Sequence, residues 1–225
     1  MKNWILLDEV TSTNEYLKQH YKQLPNNMVV LAKKQSQGKG RLSRTWKSEE
    51  GNLYMSVLRK NFPREMIFQE LMNVSVSVVK LLKEYGIQAT IKYPNDIIVG
   101  TKKIAGILTE SIGYDVLEYL IIGIGVNINQ FNFQELSDKA TSVTIESNRT
   151  EDVLPFAVKL YNILQTSKDV YKEYIEHSYV IGKKIEFQGM SYTIATINLD
   201  GSLNLHGDKV LNIPLNEVSL KGLYE

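Results

Sequence analysis

Residues 33–47 read KKQSQGKGRLSRTWK, with six cations (Lys33, Lys34, Lys39, Arg41, Arg44 and Lys47) and no acid, in a chain whose formal net charge is only +1. The chemistry open to such a run is anion binding. Gly38 and Gly40 let backbone N–H groups approach a ligand closely, and the cations can neutralise phosphate oxygens. The competing reading is a solvated surface connection, which a basic loop taken alone favours. Trp46 has little use in an exposed linker, so it either belongs to a binding site or pins the loop to the core.

Three further groups could do chemistry. KYPNDIIVGTKKIAGILTE, residues 92–110, sets Asn95 and Asp96 behind the turn-forming Pro94, with Lys103 opening a strand and Gly106 nearby. Asn95 offers a donor and an acceptor, Asp96 an anion, and Lys103 a compact cation. Taken alone, this is a hairpin with an Asx-type turn and a solvated Lys-Lys pair. GIGVNIN, residues 123–129, puts Gly123, Gly125, Asn127 and Asn129 on one face of a buried strand. Glycines weaken a strand unless something flat or bulky lies against them, and a bulge or a packed helix would also account for them. The third glycine, the opening helix and the acid of a dinucleotide fingerprint are missing. In TSTN, residues 11–14, the spacing of Ser12 and Glu15 is that of a capping box. The hydroxyls of Ser12 and Thr13, with the first helical amides, could also hold a polar ligand group.

A chain of 225 residues allows one large domain or a main domain with a small appendage. It is 43% hydrophobic and 23% charged, an ordinary balance for a soluble protein that buries a core. With 26 basic and 25 acidic residues, a broad nucleic-acid face is not indicated and no specific DNA partner is expected. The absence of cysteine excludes disulfides, thiolate metal ligands and cysteine nucleophiles, and fits a reducing cytoplasm. No apolar stretch approaches membrane-span length, so no membrane partner is expected. The scattered His20, His177 and His206 do not suggest a histidine metal site.

The elements that must position these groups follow from periodicity. Strands are expected at NWILLDEV, MVVLAKK, Asn52–Arg59, TIKY, DIIVG, KIAGILTES and LEYLIIGIGVNI, with a tight turn at Gly100. A long helix runs through EMIFQELMNVSVSVVKLLKEY and stops at Gly86. A second long helix is expected over EDVLPFAVKLYNILQTSKDVYKEYIEH, with Pro155 in its first turn. Residues 35–51 read as a long loop, the kind that is usually functional or disordered. After a boundary near Ser178 the chain turns to short alternating segments, ending in KVLNIPL and EVSLKG, with hairpin signals at Asp200-Gly201 and Gly207-Asp208.

Taken in order, the four groups resemble the biotin–protein ligases. The residues that carry the resemblance are Ser12-Thr13-Asn14, Gln35, the Gly38-Lys39-Gly40-Arg41 loop ending at Arg44 and Trp46, Asn52-Leu53-Tyr54, Lys92-Tyr93-Pro94-Asn95-Asp96, Lys103-Ile104-Ala105-Gly106, and Gly123 to Asn127. The resemblance implies an α+β fold. A mixed β-sheet catalytic domain with packed helices, class II synthetase-like, would span residues 1–178, and a small SH3-like β-barrel domain residues 179–225. The chain departs from the family pattern at three places. Lys39 and Ser43 stand where the loop usually has arginine and glycine, and Tyr93 replaces a tryptophan; a lysine keeps charge but loses the bidentate fork. Because the chain starts in the catalytic region, it resembles the monofunctional members rather than those with an N-terminal helix-turn-helix domain.

The resemblance further implies a reaction. Biotin and ATP form biotinyl-5′-AMP and pyrophosphate, with Mg²⁺ on the triphosphate and metal ligands that the sequence does not identify. Biotin then passes to a lysine of a biotin carboxyl carrier domain of a biotin-dependent carboxylase. Lys103, Arg41 and Asp96 would be catalytic. Ser12, Thr13, Asn14, Gln35, Gly38, Lys39, Arg41, Lys103, Gly106 and Gly123 would surround biotin. Lys39, Arg41, Arg44, Trp46, Asn95, Lys103 and Asn127 would meet ATP or the adenylate. Residues 35–46 are expected to be poorly ordered when empty and to close over the adenylate. A homodimer is compatible with the sequence. The rivals are a lipoate or octanoate ligase of the same fold, whose arginine pair followed by several glycines is not found here, and a non-catalytic biotin-binding regulator.

Overall fold

The computed structural model describes residues 2–41, 44–215 and 217. The departure at Ser43 and the expected EVSLKG segment lie outside these, apart from Glu217. In chain order the elements are β1 (Trp4–Val10), α1 (Thr13–His20), β2 (Val29–Gln35), β3 (Leu53–Pro63), α2 (Ile67–Glu84), β4 (Thr90–Lys92), β5 (Asp96–Val99), β6 (Lys102–Gly113), β7 (Val116–Val126), α3 (Val143–Ser147), α4 (Val153–Thr166), α5 (Val170–Glu176), β8 (Lys184–Phe187), β9 (Met190–Ile197), β10 (Leu203–His206) and β11 (Val210–Ile213). Strands β1 to β7 form one mixed sheet in the order β1-β2-β3-β7-β6-β5-β4, in which β1 and β2 run parallel and the other neighbours antiparallel. Strands β8 to β11 form a four-stranded antiparallel meander, the small SH3-like sheet.

Both faces of the large sheet are covered, which explains the near-continuous apolar runs in its strands. Val29, Leu31, Met55, Val57, Leu120 and Ile122 turn to the main core beneath α2, and Val30, Leu58, Tyr119 and Ile121 turn to a smaller core against Leu17 of α1. Helix α2 is buried along most of its circumference, because it lies between the sheet on one side and α4 and α5 on the other. Gly86 follows its last turn at φ 77°, the left-handed residue expected of a helix stop.

Two expectations are corrected, and one element is added. The second long helix is two helices: α4 ends at Thr166, Asp169 takes φ 52°, and α5 starts afresh at Val170. The capping box at the start of α1 does not form. Ser12 occupies the N-cap position without a side-chain bond, the Thr13 N–H goes instead to Gln35 Oε1 across on β2, and Glu15 pairs with Lys18 and Lys39. The short α3, capped by Ser142 through the Ile145 N–H, was not anticipated.

The small sheet is tied to the large one near the Pro94 turn. The Tyr93 hydroxyl donates to the Gly201 carbonyl, and the Phe68 ring of α2 lies under the same glycine. Residues 177–179 bond to both backbone groups of Ile91, extending the edge of β4. Ile194, Ile197, Leu203 and Leu205 therefore share one apolar cluster with Phe68, Ile91 and Tyr93. Gly201 sits at φ 87°, and a Cβ there would lie 2.7 Å from the Phe68 ring. Gly201→Ala should lower stability by about 1–3 kcal/mol, read as a drop in the thermal midpoint; an unchanged midpoint would show that this turn does not constrain the small sheet.

Candidate active site

Strand register builds the site. One transverse row on the α1 side of the sheet contains Ala32, Tyr54, Gly125, Gly106, Asp96 and Lys92, each paired with the next. Side chains two residues apart share a face, so the neighbouring row holds Ser56, Gly123 and Leu108. Gly106, Gly123 and Gly125 are thus adjacent, and a patch of sheet is bare of side chains. Two groups fill it. A Cβ on Gly125 would stand 2.7 Å from the Trp46 ring, one on Gly106 3.0 Å from the same ring, and one on Gly123 2.5 Å from Asn14 Oδ1. The flat object expected against the glycines is the indole, and the packed helix contributes the Asn14 amide.

The basic loop is held by its own backbone. The N–H of Trp46 donates to Gly38 O at 2.9 Å and that of Gly40 to Arg44 O at 2.7 Å, with a single β-bridge between Lys39 and Thr45. At Gly38 a Cβ would come within 2.4 Å of Ser48 Oγ and Trp46 O, so this position requires glycine; at Gly40 the nearest atom is at an ordinary 3.5 Å. Gln35 supports the loop from below, its Nε2 donating to Ser48 Oγ at 2.9 Å, and Ser48 donating in turn to Trp46 O.

The loop's cations are less isolated than the linear sequence indicates. Lys33 pairs with Asp8 at 2.7 Å and Lys39 with Glu15 at 3.4 Å, acids contributed by β1 and α1. Arg41 donates to Asn95 Oδ1 at 2.9 Å, and Asn95 is itself fixed by donation to Ile107 O. Across the Pro94 turn, Lys103 Nζ lies 2.6 Å from Asp96 Oδ1 and 5.0 Å from the centre of the Trp46 ring, while its stem crosses Gly106. Lys92 stands beside this pair. Its burial pushes the ammonium below the usual lysine range; Asp96 opposes that shift, and the charges of Lys103 and Arg44 add to it. A cavity of about 670 Å³ opens against the basic loop, walled by Gly38, Lys39, Arg41, Arg44, Leu108 and Glu110, a volume in the range of small-ligand sites.

Of the sequence-derived candidates, Gln35, Gly38, Lys39, Arg41, Trp46, Asn95, Asp96, Lys103 and Gly106 converge around this loop. Ser12, Thr13 and Asn14 are buried at its inner end. Gly123 serves as the seat of Asn14. Asn127 braces the site from behind: its Nδ2 donates to Thr141 O at 3.0 Å, and the 139–141 segment bonds to both backbone groups of Lys103. Sequence reading overlooked Ser48, Ser56 and Glu110, and gave Lys92 no role. Glu110 could have been found from its spacing, because it lies four residues beyond Gly106 and so on the same strand face.

Residues 6–127, more than half of the chain, match the model of the biotin/lipoate A/B protein ligase family. The chain belongs to that family. One relative is the bifunctional ligase/repressor BirA of Bacillus subtilis, 40% identical over 69% of this chain and 49% of that protein. Another is a biotin–protein ligase of Homo sapiens, 36% identical over 57% of this chain and 19% of the relative. The chain spans about half the length of the BirA relatives it matches. Among solved structures, a biotin protein ligase from Aquifex aeolicus in complex with biotin and ATP superimposes with a TM-score of 0.81 and 28% identity, covering 97% of this chain and 98% of that one. The family fold therefore extends through the small C-terminal sheet.

The seat of Trp46 can be tested directly. Gly125→Val should push the indole off the sheet, red-shifting its fluorescence when Trp4 is replaced by Phe to isolate the signal. An unshifted spectrum would mean that the ring does not depend on the bare glycine patch.

Proposed function

We propose that the chain is an ATP-dependent biotin–protein ligase. The observation that carries this reading is a cavity walled by a glycine-containing basic loop, whose Arg41 bonds Asn95 on the same turn that sets Asp96 against Lys103. Joining a carboxylate to a phosphate brings two anions together, and fixed cations aimed at the phosphoryl oxygens lower that barrier. In the first step a biotin carboxylate oxygen attacks the α-phosphorus of ATP, the bond to the bridging oxygen breaks, and pyrophosphate leaves. In the second, the neutral amine of a carrier lysine attacks the acyl carbon of the mixed anhydride and AMP leaves.

In this reading Ser12, Thr13, Asn14, Gln35, Gly38 and the Lys39 backbone surround the neutral ureido ring. Arg44, Trp46, Asn95 and Lys92 join Lys103 and Arg41 on the nucleotide, and Trp46 Nε1 brings a buried donor with no partner among the described residues. Asp96 holds Lys103 in place before reaction and orients the incoming carrier amine afterwards. No cluster of three or more His, Asp or Glu side chains suited to a metal occurs among the described residues. A Mg²⁺ ion would travel on the triphosphate, with Asp96 a carboxylate near Lys103 that could meet it, and would supply charge neutralisation to the leaving pyrophosphate. Residues 1–178 act as the catalytic domain and 179–225 as a C-terminal domain latched through Tyr93. The carrier is a biotin carboxyl carrier domain and the setting cytoplasmic; among the described residues no helix is long and apolar enough to cross a membrane.

The test is pyrophosphate release from Mg-ATP. It should require biotin and should not respond to lipoate; the reverse preference would assign the site to lipoate, and release with neither would leave a binder. Lys103→Ala should slow adenylate formation by the equivalent of about 2.7–4 kcal/mol, typical of one lost charge-stabilising donor, with a nearly unchanged melting midpoint because Lys103 is half-buried at a strand start. Arg41→Ala should form the adenylate but release it faster, seen as indiscriminate lysine biotinylation in a bystander protein. Wild-type rates in both variants would remove these residues from the mechanism.

A further inference from the structure

Strand β6 is irregular where it enters the site. Asp96 pairs with Gly106 and Ile97 with Ala105, but Ile98 pairs with Lys103, so β6 carries one residue more than β5 at Ile104. Successive side chains of a strand alternate between faces. Counted back from Gly106, an unbroken β6 would turn Lys103 to the opposite face, towards the main core, and would put Lys102 on the site face. The extra residue reverses that count. Ile104 and Ala105, although consecutive, are both fully buried in the main core. Lys103 emerges on the Gly106 face, with its ammonium against Asp96 and the Trp46 ring.

A bulged backbone needs hydrogen-bond partners outside the regular ladder. Strand β7 ends at Val126, and the Asn127 N–H takes the carbonyl of the extra residue, Ile104, at 2.9 Å. Residues 139–141 take the backbone of Lys103. Its N–H donates to Lys139 O at 2.8 Å, and its carbonyl accepts from the Thr141 N–H at 3.0 Å. Residues 134–139 are exposed, and Thr141, 1% accessible, is where the chain re-enters the interior. All three polar groups of Thr141 are used. Its N–H holds Lys103, its carbonyl accepts from Asn127 Nδ2 at 3.0 Å, and its hydroxyl donates to Glu146 Oε1 of α3 at 2.6 Å. We infer that Thr141 is a positioning residue that holds the bulge at Ile104 and thereby keeps Lys103, and not Lys102, turned into the site. The hydroxyl is the pin. Without its bond to α3, the peptide that holds Lys103 hangs from the end of an exposed segment. The effect on catalysis rests on the function proposed above, whereas the hold on Lys103 does not.

The experiment has two arms on the full chain, with melting curves for each variant. The first reads hydrogen exchange at the Lys103 amide, resolved by NMR, without substrates. Thr141→Val, which removes the hydroxyl at nearly constant shape, should speed that exchange about tenfold while the amide of Ile121 in β7 stays unchanged, because opening is local. Thr141→Ser should restore the wild-type rate. Glu146→Ala, at an exposed position where folding is not at risk, should act as Thr141→Val does, and Glu146→Gln, which keeps an acceptor, should not. The second arm reads biotin-dependent pyrophosphate release. Thr141→Val should lower kcat about tenfold with KM for biotin level, the cost of one lost buried hydrogen bond, and should add little in a Lys103→Ala background. Unchanged exchange at Lys103 in folded Thr141→Val and Glu146→Ala overturns the inference, as does a loss of kcat that persists in full without Lys103. A wild type that releases no pyrophosphate overturns the proposed function, and exchange at the Lys103 amide then decides the inference alone.

Discussion

The site rests on one contact, the indole of Trp46 lying on backbone where Gly106 and Gly125 meet in neighbouring strands. Each glycine in a strand interior costs roughly 0.5–1 kcal/mol against alanine, and burying a tryptophan face, with the Lys103 ammonium over its ring, offsets that cost. The consequence is positional. With Trp46 seated, Gly38 is drawn against Ser48, the loop folds back through its two backbone bonds, and Arg41 arrives at Asn95. Side chains on the two glycines would lift the indole and with it the loop that carries Lys39, Arg41 and Arg44.

The charge arrangement follows a related logic. Lys103 and Asp96 are partly exposed, with 33% and 26% of their side-chain surface accessible, so their pairing contributes little to stability after solvent screening. Its value is that it holds an ammonium against the Trp46 ring without anchoring it irrevocably. Lys39 is treated similarly by Glu15, an acid from α1. Acids from outside the loop therefore compensate part of its charge and leave it positive enough to receive an anion. Lys92, disfavoured as a cation by burial and by Lys103 and Arg44, would gain most from a polyphosphate, which supplies the negative charge the cluster is short of.

Much of this was legible in the sequence because local signals and tertiary structure agreed. The strands, α2 with its stop at Gly86, the Gly100 turn and the hairpin at Gly201 all followed from periodicity and turn chemistry. The failures share a cause, namely partners distant in the chain. Ser12 and Glu15 have capping-box spacing, but Gln35 takes the amide and Lys39 the carboxylate. No proline or glycine marks the break between α4 and α5, which turns on Asp169. The basic run looked uncompensated because Asp8 and Glu15 lie outside it. The row from Ala32 to Lys92 depends on the register of five strand pairings, which no single segment encodes, and for that reason Ser56 carried no signal, whereas Glu110 shares the strand face of Gly106 by spacing alone.

The most direct measurement combines both half-reactions. The purified chain is incubated with biotin, Mg-ATP and an isolated biotin carboxyl carrier domain, and the carrier is weighed intact and then mapped by peptide mass spectrometry. The account expects one added biotinyl group on one lysine, dependent on both biotin and ATP. A carrier of unchanged mass while biotin and ATP are demonstrably bound, or biotin spread over many lysines by the wild-type enzyme, would contradict it.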